Sequence, residues 1–517
     1  MFPLSKSGPI AQRGLQTVIR TSIGSRSFHA AKKAHLPSLL ARPRTYATST
    51  HATSTAAAAD PIVLTESRKA TPNVHNGKKT LVLLGTGWGS TTILKTLDTS
   101  KYNVVVISPR NYFLFTPLLP SCTVGTTESR SIMEPIRHII GRRSKDIRFY
   151  EAQCTDIDMS KKELVLEQST ADGAPDQGTS TRINYDYLVV GVGGTYNTFG
   201  TPGVEKHACF LKEMGDASKI RRRLKDAIEK ASFANISDAE RDRLLHMVVV
   251  GGGPTGVEFA GELHDLIAED LRRWVPELAS KIRITLVEAL PNVLPSFDKK
   301  LVFYTERMFK KIGINLLTGT TVQKVDEKTL TVRNAATGSE TEIPYGTIVW
   351  AAGIRARQFA HTLRAKVPDV QTSGRGLIID DYLRVQGTED IWALGDCTVS
   401  KNAPLAQVAS QQGKWLSKAF NHMALDGNTD AVNGSSLIAT KTKPFVYSSN
   451  GSLAYIGGEK AIAELPFFNK SIVAGGPLTS VFWKAYCLWE LSSVRSSLSV
   501  ATDWVKRAMF GRTISVD

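Results

Sequence analysis

Twice in this chain a short apolar run breaks onto a glycine-rich turn, continues as a helix-compatible stretch and ends in a second apolar run. The first unit is Thr80–Leu84, then Gly85-Thr86-Gly87-Trp88-Gly89-Ser90, a helical stretch to about Leu97, and Tyr102–Ile107. The second is His246–Val250, then Gly251-Gly252-Gly253-Pro254-Thr255-Gly256, a helical run from Val257 to about Leu271, and Ile282–Val287 closing on Glu288. Phosphate binding explains this pattern. The first glycine makes the tight turn, the second lets a pyrophosphate approach the backbone, and the third lets the helix pack on the strand with its N–H groups aimed at the anion. One such hexapeptide is weak evidence, because ordinary turns produce it. Two, each set between β-rich runs, predict two dinucleotide sites in an α/β chain.

The two units differ in their second strands. Glu288 ends the strand of the second unit, where a carboxylate accepts hydrogen bonds from an adenosine ribose and repels a 2′-phosphate. That site is expected to take NADH rather than NADPH. The first unit ends in Ser108-Pro109-Arg110, without an acid, and carries Ser90 where the third glycine is expected. Ser108 can still bond a ribose, but this site does not announce NAD.

Net charge, +16 over 517 residues, suggests nucleic acid until it is divided along the chain. Residues 1–59 hold eight cations (Lys6, Arg13, Arg20, Arg26, Lys32, Lys33, Arg42 and Arg44) and no acid. Removing those eight from the 64 Lys and Arg leaves 56 against 48 acids, a balance of +8 over the other 458 residues. An Arg-rich, Ser-rich, acid-free leader is the composition of a mitochondrial transit peptide, so residues 1–50 are set aside from the fold. A disordered basic tail is the plainer alternative. The five cysteines include no C-x-x-C pair, which argues against a disulfide scaffold or a thiolate metal site and for a reduced compartment. Cys122 has Thr127 where a C-x4-C redox pair would need its second cysteine. No metal is expected, and no D-x-[DN]-x-[DN]-G calcium loop is present. The longest uncharged runs, Asn111–Thr127 and Tyr187–Val204, are interrupted by Pro and Gly and fall short of the ~20 mainly apolar residues that a bilayer core requires.

Two shorter motifs add to the glycine turns. Ile348-Val349-Trp350-Ala351-Ala352-Gly353 is a β-run ending in small residues, and Ile391-Trp392-Ala393-Leu394-Gly395-Asp396 is a strand ending in Gly-Asp. They resemble the ATG-like and Gly-Asp motifs of flavoproteins with two dinucleotide-binding domains. Taken without that resemblance, Asp396 could cap a helix beginning near Pro404. With Asn111–Pro120, Gly251–Glu258, Ala260-Gly261-Glu262 and Ala406-Gln407-Val408-Ala409-Ser410-Gln411, the resemblance narrows. From Lys78 to Arg512 the chain resembles the fungal mitochondrial type II (rotenone-insensitive) NADH:ubiquinone oxidoreductases.

The resemblance implies two Rossmann-like domains, the second inserted in the first. FAD-binding residues 78–243 and 356–440 would flank an NADH-binding domain at 244–355, and 441–517 would form an amphipathic membrane-docking region. Non-covalent FAD would lie on Gly85, Gly87, Trp88, Gly89, Ser90, Ser108, Pro109, Arg110, Gly193, Gly395, Asp396 and Ala406, with Thr116, Pro117, Leu118 and Leu119 against its ring. NADH would lie on Gly251, Gly253, Pro254, Thr255, Gly256, Glu288, Ala352 and Gly353, with Glu258 facing nicotinamide and flavin. Gln407 and Gln411 would serve the flavin edge and the quinone. On residues alone, Thr116–Leu119 reads equally as core, the two glutamines as a solvated helix face, and Glu262 as an acid favoured by the helix dipole. Implied partners are NADH, ubiquinone, the inner-membrane lipid surface and a second copy of the chain, and nucleic acid is not among them. The matrix side is favoured because no stop-transfer segment follows the leader. Two alternatives stay open: another NADH-dependent flavin reductase, and an NADH-binding interaction protein resembling apoptosis-inducing factor, with Arg221-Arg222-Arg223 as a basic patch.

The C-terminal region carries its own signal. Phe482, Trp483, Tyr486 and Trp489 read as one aromatic cluster, while Leu498, Ala501, Trp504, Val505, Ala508 and Met509 recur at helical spacing beside Lys484, Arg495, Lys506, Arg507 and Arg512. That is the pattern of helices lying in a membrane interface. Packing on the protein's own core or on a second subunit is the alternative.

Overall fold

The computed structural model describes residues 77–143, 147–169, 175–425, 442–467 and 470–513. The expected leader, residues 1–50, lies outside them.

Consecutive β-branched and leucine residues bounded by Gly, Asn and Ser make the buried strands. The first unit contains β1 (Thr80–Leu84), helix α1 (Trp88–Thr96), β2 (Asn103–Ser108), a one-turn helix α2 (Leu119–Thr123), β3 (Arg148–Asp158), β4 (Glu163–Ser169), β5 (Pro175–Asn184) and β6 (Tyr187–Val190). β7 (Gly194–Tyr196) leads out. The second unit contains β8 (Cys209–Phe210), helix α3 (Met214–Ser232), β9 (His246–Val250), helix α4 (Pro254–Asp265), β10 (Arg283–Val287), β11 (Ile314–Leu317) and β12 (Thr347–Trp350). β13 (Ile354–Ala356) leads back to β14 (Ile391–Ala393) and helix α5 (Ala406–Leu425).

Sheet order makes the insertion explicit. The first sheet runs β14-β6-β1-β2-β3-β4-β5, so a strand from residue 391 completes a sheet begun at residue 80. The second runs β8-β12-β9-β10-β11. β14, β6, β1, β2 and β3 pair in parallel, as does every strand of the second sheet. Parallel strands are buried on both faces, which is why they read as unbroken apolar runs. β7 and β13 pair antiparallel, Tyr196 opposite Ile354, so the chain leaves and re-enters the first unit along one ribbon.

Two expectations shift. The run from Val257 to Leu271 is not one α-helix: α4 stops at Asp265 and a π-helical turn, Leu266–Leu271, follows. The helix placed near Pro404 begins at Ala406, because Pro404 and Leu405 stay in the exposed approach to it. All five cysteines are buried and unpaired.

After α5 come a small antiparallel sheet, β15 (Ser452–Tyr455), β16 (Ala461–Phe467) and β17 (Lys470–Gly476), and two helices, α6 (Pro477–Glu490) and α7 (Val494–Phe510). α6 splits the expected aromatic cluster. Trp483 is buried and stacks on Tyr455 with ring centroids 5.4 Å apart, whereas Phe482 and Trp489 face outward. α7 is inverted relative to a core helix: Ser496, Val500 and Asp503 point inward, while Val494, Leu498, Val505, Met509 and Phe510 are exposed. No helix among the described residues is long and apolar enough to cross a membrane.

Candidate functional site

Three of the predicted elements meet at the carboxyl ends of adjacent strands. β1 ends in the Gly85 turn, β6 runs into Gly191–Gly193, and β14 runs into Gly395-Asp396. In an open parallel sheet, ligands bind at the carboxyl ends of the strands. Gly85 has φ +95°, and a Cβ there would run into the carbonyl oxygen of Gly191. At Gly87 a Cβ would meet nothing within 4 Å, and Gly87 caps α1 without any side-chain hydrogen bond. The helix start therefore presents free N–H groups to open space, the arrangement a phosphate needs.

The second turn repeats the geometry. Gly251 (φ +112°) is pressed on Ala351, Gly256 lies against the carbonyl of Gly251, and Gly253 faces open space at the uncapped start of α4. β9, β10 and β12 end side by side in Gly251, Glu288 and Ala351–Gly353. The Glu288 carboxylate accepts from the backbone N–H groups of Gly252 and, at 2.7 Å, of Leu290, which fixes it at the mouth of the turn. Gly353 is exposed, with the Phe199 ring against it.

The missing third glycine of the first turn has a structural answer. The Ser90 side chain is buried and occupies the space that a Cβ on Gly191 would need. Close approach is supplied instead by Gly89, whose backbone touches Gly413 of α5. Ser108 is buried, bonded through its hydroxyl to Thr86 Oγ1 at 3.1 Å and accepting from the Arg110 N–H at 3.1 Å. Arg110 pairs with Glu213 at 2.6 Å, and Arg357 pairs with the same carboxylate. Pro109 is exposed. Trp88 Nε1 donates to Thr116 Oγ1 at 3.1 Å, which brings the Thr116–Leu119 run to the glycine turn. Within that run Leu118 and Leu119 are core, and Thr116 and Pro117 are half-buried.

Asp396 does not cap α5. Its carboxylate pairs with Lys212 at 3.0 Å, and the N–H of Gly395 donates to Gln412 Oε1 at 2.8 Å. Sequence reasoning missed Lys212 and Gln412, since neither belongs to a local pattern. Gln407 and Gln411 do share a face, yet that face is not simply solvated. Gln407 Nε2 donates to the carbonyl of Gly451 (2.8 Å), and Gln411 donates from Nε2 to the Ser448 carbonyl (2.7 Å) and accepts at Oε1 from the Ser448 N–H (3.1 Å). Both glutamines therefore hold the Tyr447–Gly451 segment.

α4 is the element on which everything converges. Glu258 is buried and accepts from the Tyr455 N–H at 3.3 Å. Burial pushes its carboxyl up to about 8, with Glu262 adding to the rise and the Tyr455 N–H opposing it. Glu262, read above as a dipole-favoured acid, is instead buried and accepts from Ser121 Oγ and Thr126 Oγ1, each at 2.6 Å. Asp265 accepts from the Tyr455 hydroxyl at 2.5 Å. The triple-arginine run is no patch of three: Arg221 turns inward and donates to the Cys122 carbonyl, while Arg222 and Arg223 stay exposed.

Comparison with known proteins agrees with this architecture. The family described as Pyridine nucleotide-disulphide oxidoreductase matches residues 79–413, and the NDH2 C-terminal domain matches residues 450–513. The external alternative NADH-ubiquinone oxidoreductase of Yarrowia lipolytica mitochondria is 47% identical over 85% of this chain and 81% of its own length. The external NADH-ubiquinone oxidoreductase 2 of Saccharomyces cerevisiae mitochondria is 44% identical over 85% and 82%. Among solved structures, NDH2 from Plasmodium falciparum in complex with NADH is 29% identical, superposes with a TM-score of 0.77, and matches 85% of this chain and 100% of that one. A sulfide:quinone oxidoreductase from Aquifex aeolicus, at 18% identity and a TM-score of 0.61, shares the fold alone. The chain belongs to the mitochondrial NADH-ubiquinone oxidoreductases of the NDH2 type, within the pyridine nucleotide-disulphide oxidoreductase family.

Proposed function

We propose that this protein oxidises NADH and reduces ubiquinone at the surface of the mitochondrial inner membrane, with a non-covalently bound FAD between the two substrates and no protons moved across the membrane. The observation that carries the reading is the pair of uncapped helix starts at Gly87 and Gly253, each itself a glycine whose missing Cβ leaves open space for a phosphate. FAD, when bound, accepts a hydride and passes two electrons on; the chain's residues do the rest. Gly85, Gly87 and Gly89, with Ser108 and Asp396, would hold the first dinucleotide. Gly251, Gly253 and Gly256 would hold NADH, with Glu288 selecting against a 2′-phosphate. NADH, a quinone and one proton give NAD+ and the quinol, so one proton must come from the protein or solvent. Glu258, with a carboxyl that titrates near 8, would hold a proton at neutral pH in the interior beside Tyr455. Gln407 and Gln411 would fix the Tyr447–Gly451 segment as a wall of the quinone entry.

Docking is proposed through α6 and α7. Leu478, Val481, Trp489, Leu498, Met509 and Phe510 are each more than half exposed, and such an apolar outer face suits a bilayer surface or a second copy of the chain. A homodimer using part of this face is included in the proposal. The matrix side was expected from the leader; the relatives from Yarrowia and Saccharomyces carry the word "external" in their names, and on that ground we propose the outer face instead. Protease treatment of intact mitoplasts decides between the faces.

The experiment for the reading as a whole is NADH oxidation by the purified protein with ubiquinone-1, with the flavin spectrum recorded before and after NADH. Rapid turnover with the quinone and none with a protein electron carrier is the expected result. A protein that binds NADH, carries no flavin and ignores ubiquinone-1 would refute it. Removing residues after Pro477 should release the protein from vesicles containing anionic phospholipid and lower activity with long-tailed quinone more than with ubiquinone-1.

A further inference from the structure

One buried side chain, Arg512, has no part in the site as described. It lies beyond Glu258 on α4, where the end of α7 enters the protein. The Arg512 side chain is 1% exposed. Its Nη1 reaches Asp270 at 2.8 Å and Glu269 at 2.7 Å, both in the π-helical turn after α4. Its backbone N–H donates to Asp270 as well, at 3.1 Å. Its Nε donates to Thr126 Oγ1 at 2.9 Å, and the same Thr126 oxygen lies 2.6 Å from the Glu262 carboxylate.

The direction of this chain of hydrogen bonds follows from proton counting. A guanidinium has donors and no acceptor, so the Thr126 oxygen must accept from Arg512. Its single proton is then committed to Glu262. Ser121 Oγ supplies the second hydrogen bond to that carboxylate, so both ends of the Ser121–Thr126 stretch are tied to α4 through one acid. This stretch directly follows Thr116–Leu119, the run that Trp88 holds at the first glycine turn.

α7 grips the continuation of the same segment. Asp503 accepts from the Glu128 N–H at 3.0 Å, and Glu134 accepts from Ser493 (2.7 Å) and Ser496 (3.0 Å). The polar inner face of α7 is thus spent on Glu128 and Glu134, with Arg507 pairing to Glu269 and Glu459, and its apolar face looks outward.

We infer that Arg512 is a positioning residue for the quinone half of the reaction. It commits Thr126 to Glu262 and so holds the Ser121–Thr127 segment, and with it the adjoining Thr116–Leu119 wall, in register with α4. The seat of α7 and the electron-delivering side of the site are then one mechanical unit. The inference rests on the quinone-reductase reading proposed above.

The test uses the full-length, flavin-loaded protein with Arg512→Gln, Arg512→Lys and Thr126→Val. Thr126→Val removes the relay without stranding a buried charge, so it serves even if Arg512→Gln folds poorly. Amide hydrogen exchange across residues 119–128 should rise about tenfold in Thr126→Val and Arg512→Gln, the scale of one lost hydrogen bond. Flavin reoxidation by ubiquinone-1 should fall about tenfold, while flavin reduction by NADH stays within about twofold of wild type. Arg512→Lys, which keeps the charge and loses the fork, should recover part of both signals. Unchanged exchange and reoxidation in Thr126→Val, or an equal loss in both half-reactions, would overturn the inference. Failure of ubiquinone-1 to reoxidise the wild-type flavin would instead remove the quinone reading, and the exchange data would still judge the tie from Arg512 to the 121–127 segment.

Discussion

In the first glycine turn the sixth position is a buried serine set into the space left by Gly191, and the neighbouring Gly89 packs on Gly413, more than 300 residues away. In the second turn the sixth position is Gly256, closed on Gly251 within the same hexapeptide, and the mouth is set by the carboxylate of Glu288. One turn is completed by the returning chain, the other by its own unit. A ligand in the first would be enclosed by the fold itself, as suits a retained cofactor. The second would be governed by one charged side chain at a strand end, as suits a substrate that comes and goes.

Four predictions test that contrast, beginning with the largest effect. Gly85→Ala forces a left-handed φ and a clash with the Gly191 carbonyl, costing about 1–3 kcal/mol for the backbone alone, with the steric overlap added to it. The expected result is loss of soluble, flavin-containing protein, read by yield and absorbance. Normal yield and flavin content would show that the first turn is not wedged as described.

Gly87→Ala and Gly253→Ala form a matched pair, since neither Cβ meets protein. Each should keep melting temperature within a few degrees and weaken only its own ligand, by roughly tenfold to a hundredfold, a loss of about 1.4–2.7 kcal/mol. Gly87→Ala should lose flavin on dialysis, and Gly253→Ala should raise KM for NADH with flavin intact. Crossed phenotypes would exchange the two assignments.

Glu288→Ser removes the acid that a 2′-phosphate would face, where juxtaposed like charges cost several kcal/mol. The ratio of kcat/KM for NADH over NADPH should narrow at least about tenfold, part of that cost. An unchanged ratio would show that this strand end does not read the ribose.

The last prediction concerns Glu258, buried on α4 against the Tyr455 N–H. Its native carboxyl titrates near 8, above the ordinary range, so between the two values the folded state binds more protons than the unfolded one. Stability therefore falls as pH rises through that window, and the penalty is absent below the unfolded value. Glu258→Gln should flatten the fall, giving melting curves that converge with wild type in acid and lie above it near pH 8.5. Parallel curves would mean that the carboxyl titrates normally.

The glycine turns were legible because their causes are local: positive φ, a bare Cα and a helix start within six residues leave few sequence solutions. The strands followed from unbroken apolar runs, and β1 and β9 fall on the expected residues. Glu262 was misread for the opposite reason. An acid early in a helix has a sufficient local explanation in the dipole, and nothing local announces Ser121 or Thr126, more than 130 positions away. The C-terminal aromatics show a third case. Helical spacing was readable, but which side of the helix meets protein was not, and Trp483 and Trp489 face opposite ways.

The sequence by itself therefore determined two glycine-turn units, their order and the acid that only the second carries, since each depends on short-range sterics and on charge carried by one residue. Only the tertiary structure decided that α7 turns serines and an aspartate inward and its apolar residues out. It also decided that Arg512 ends beside Asp270 and Thr126, and that Asp396 pairs with Lys212. Those pairings depend on where distant segments come to rest, and burial then makes each one matter, because a charge removed from water must find its partner in the fold.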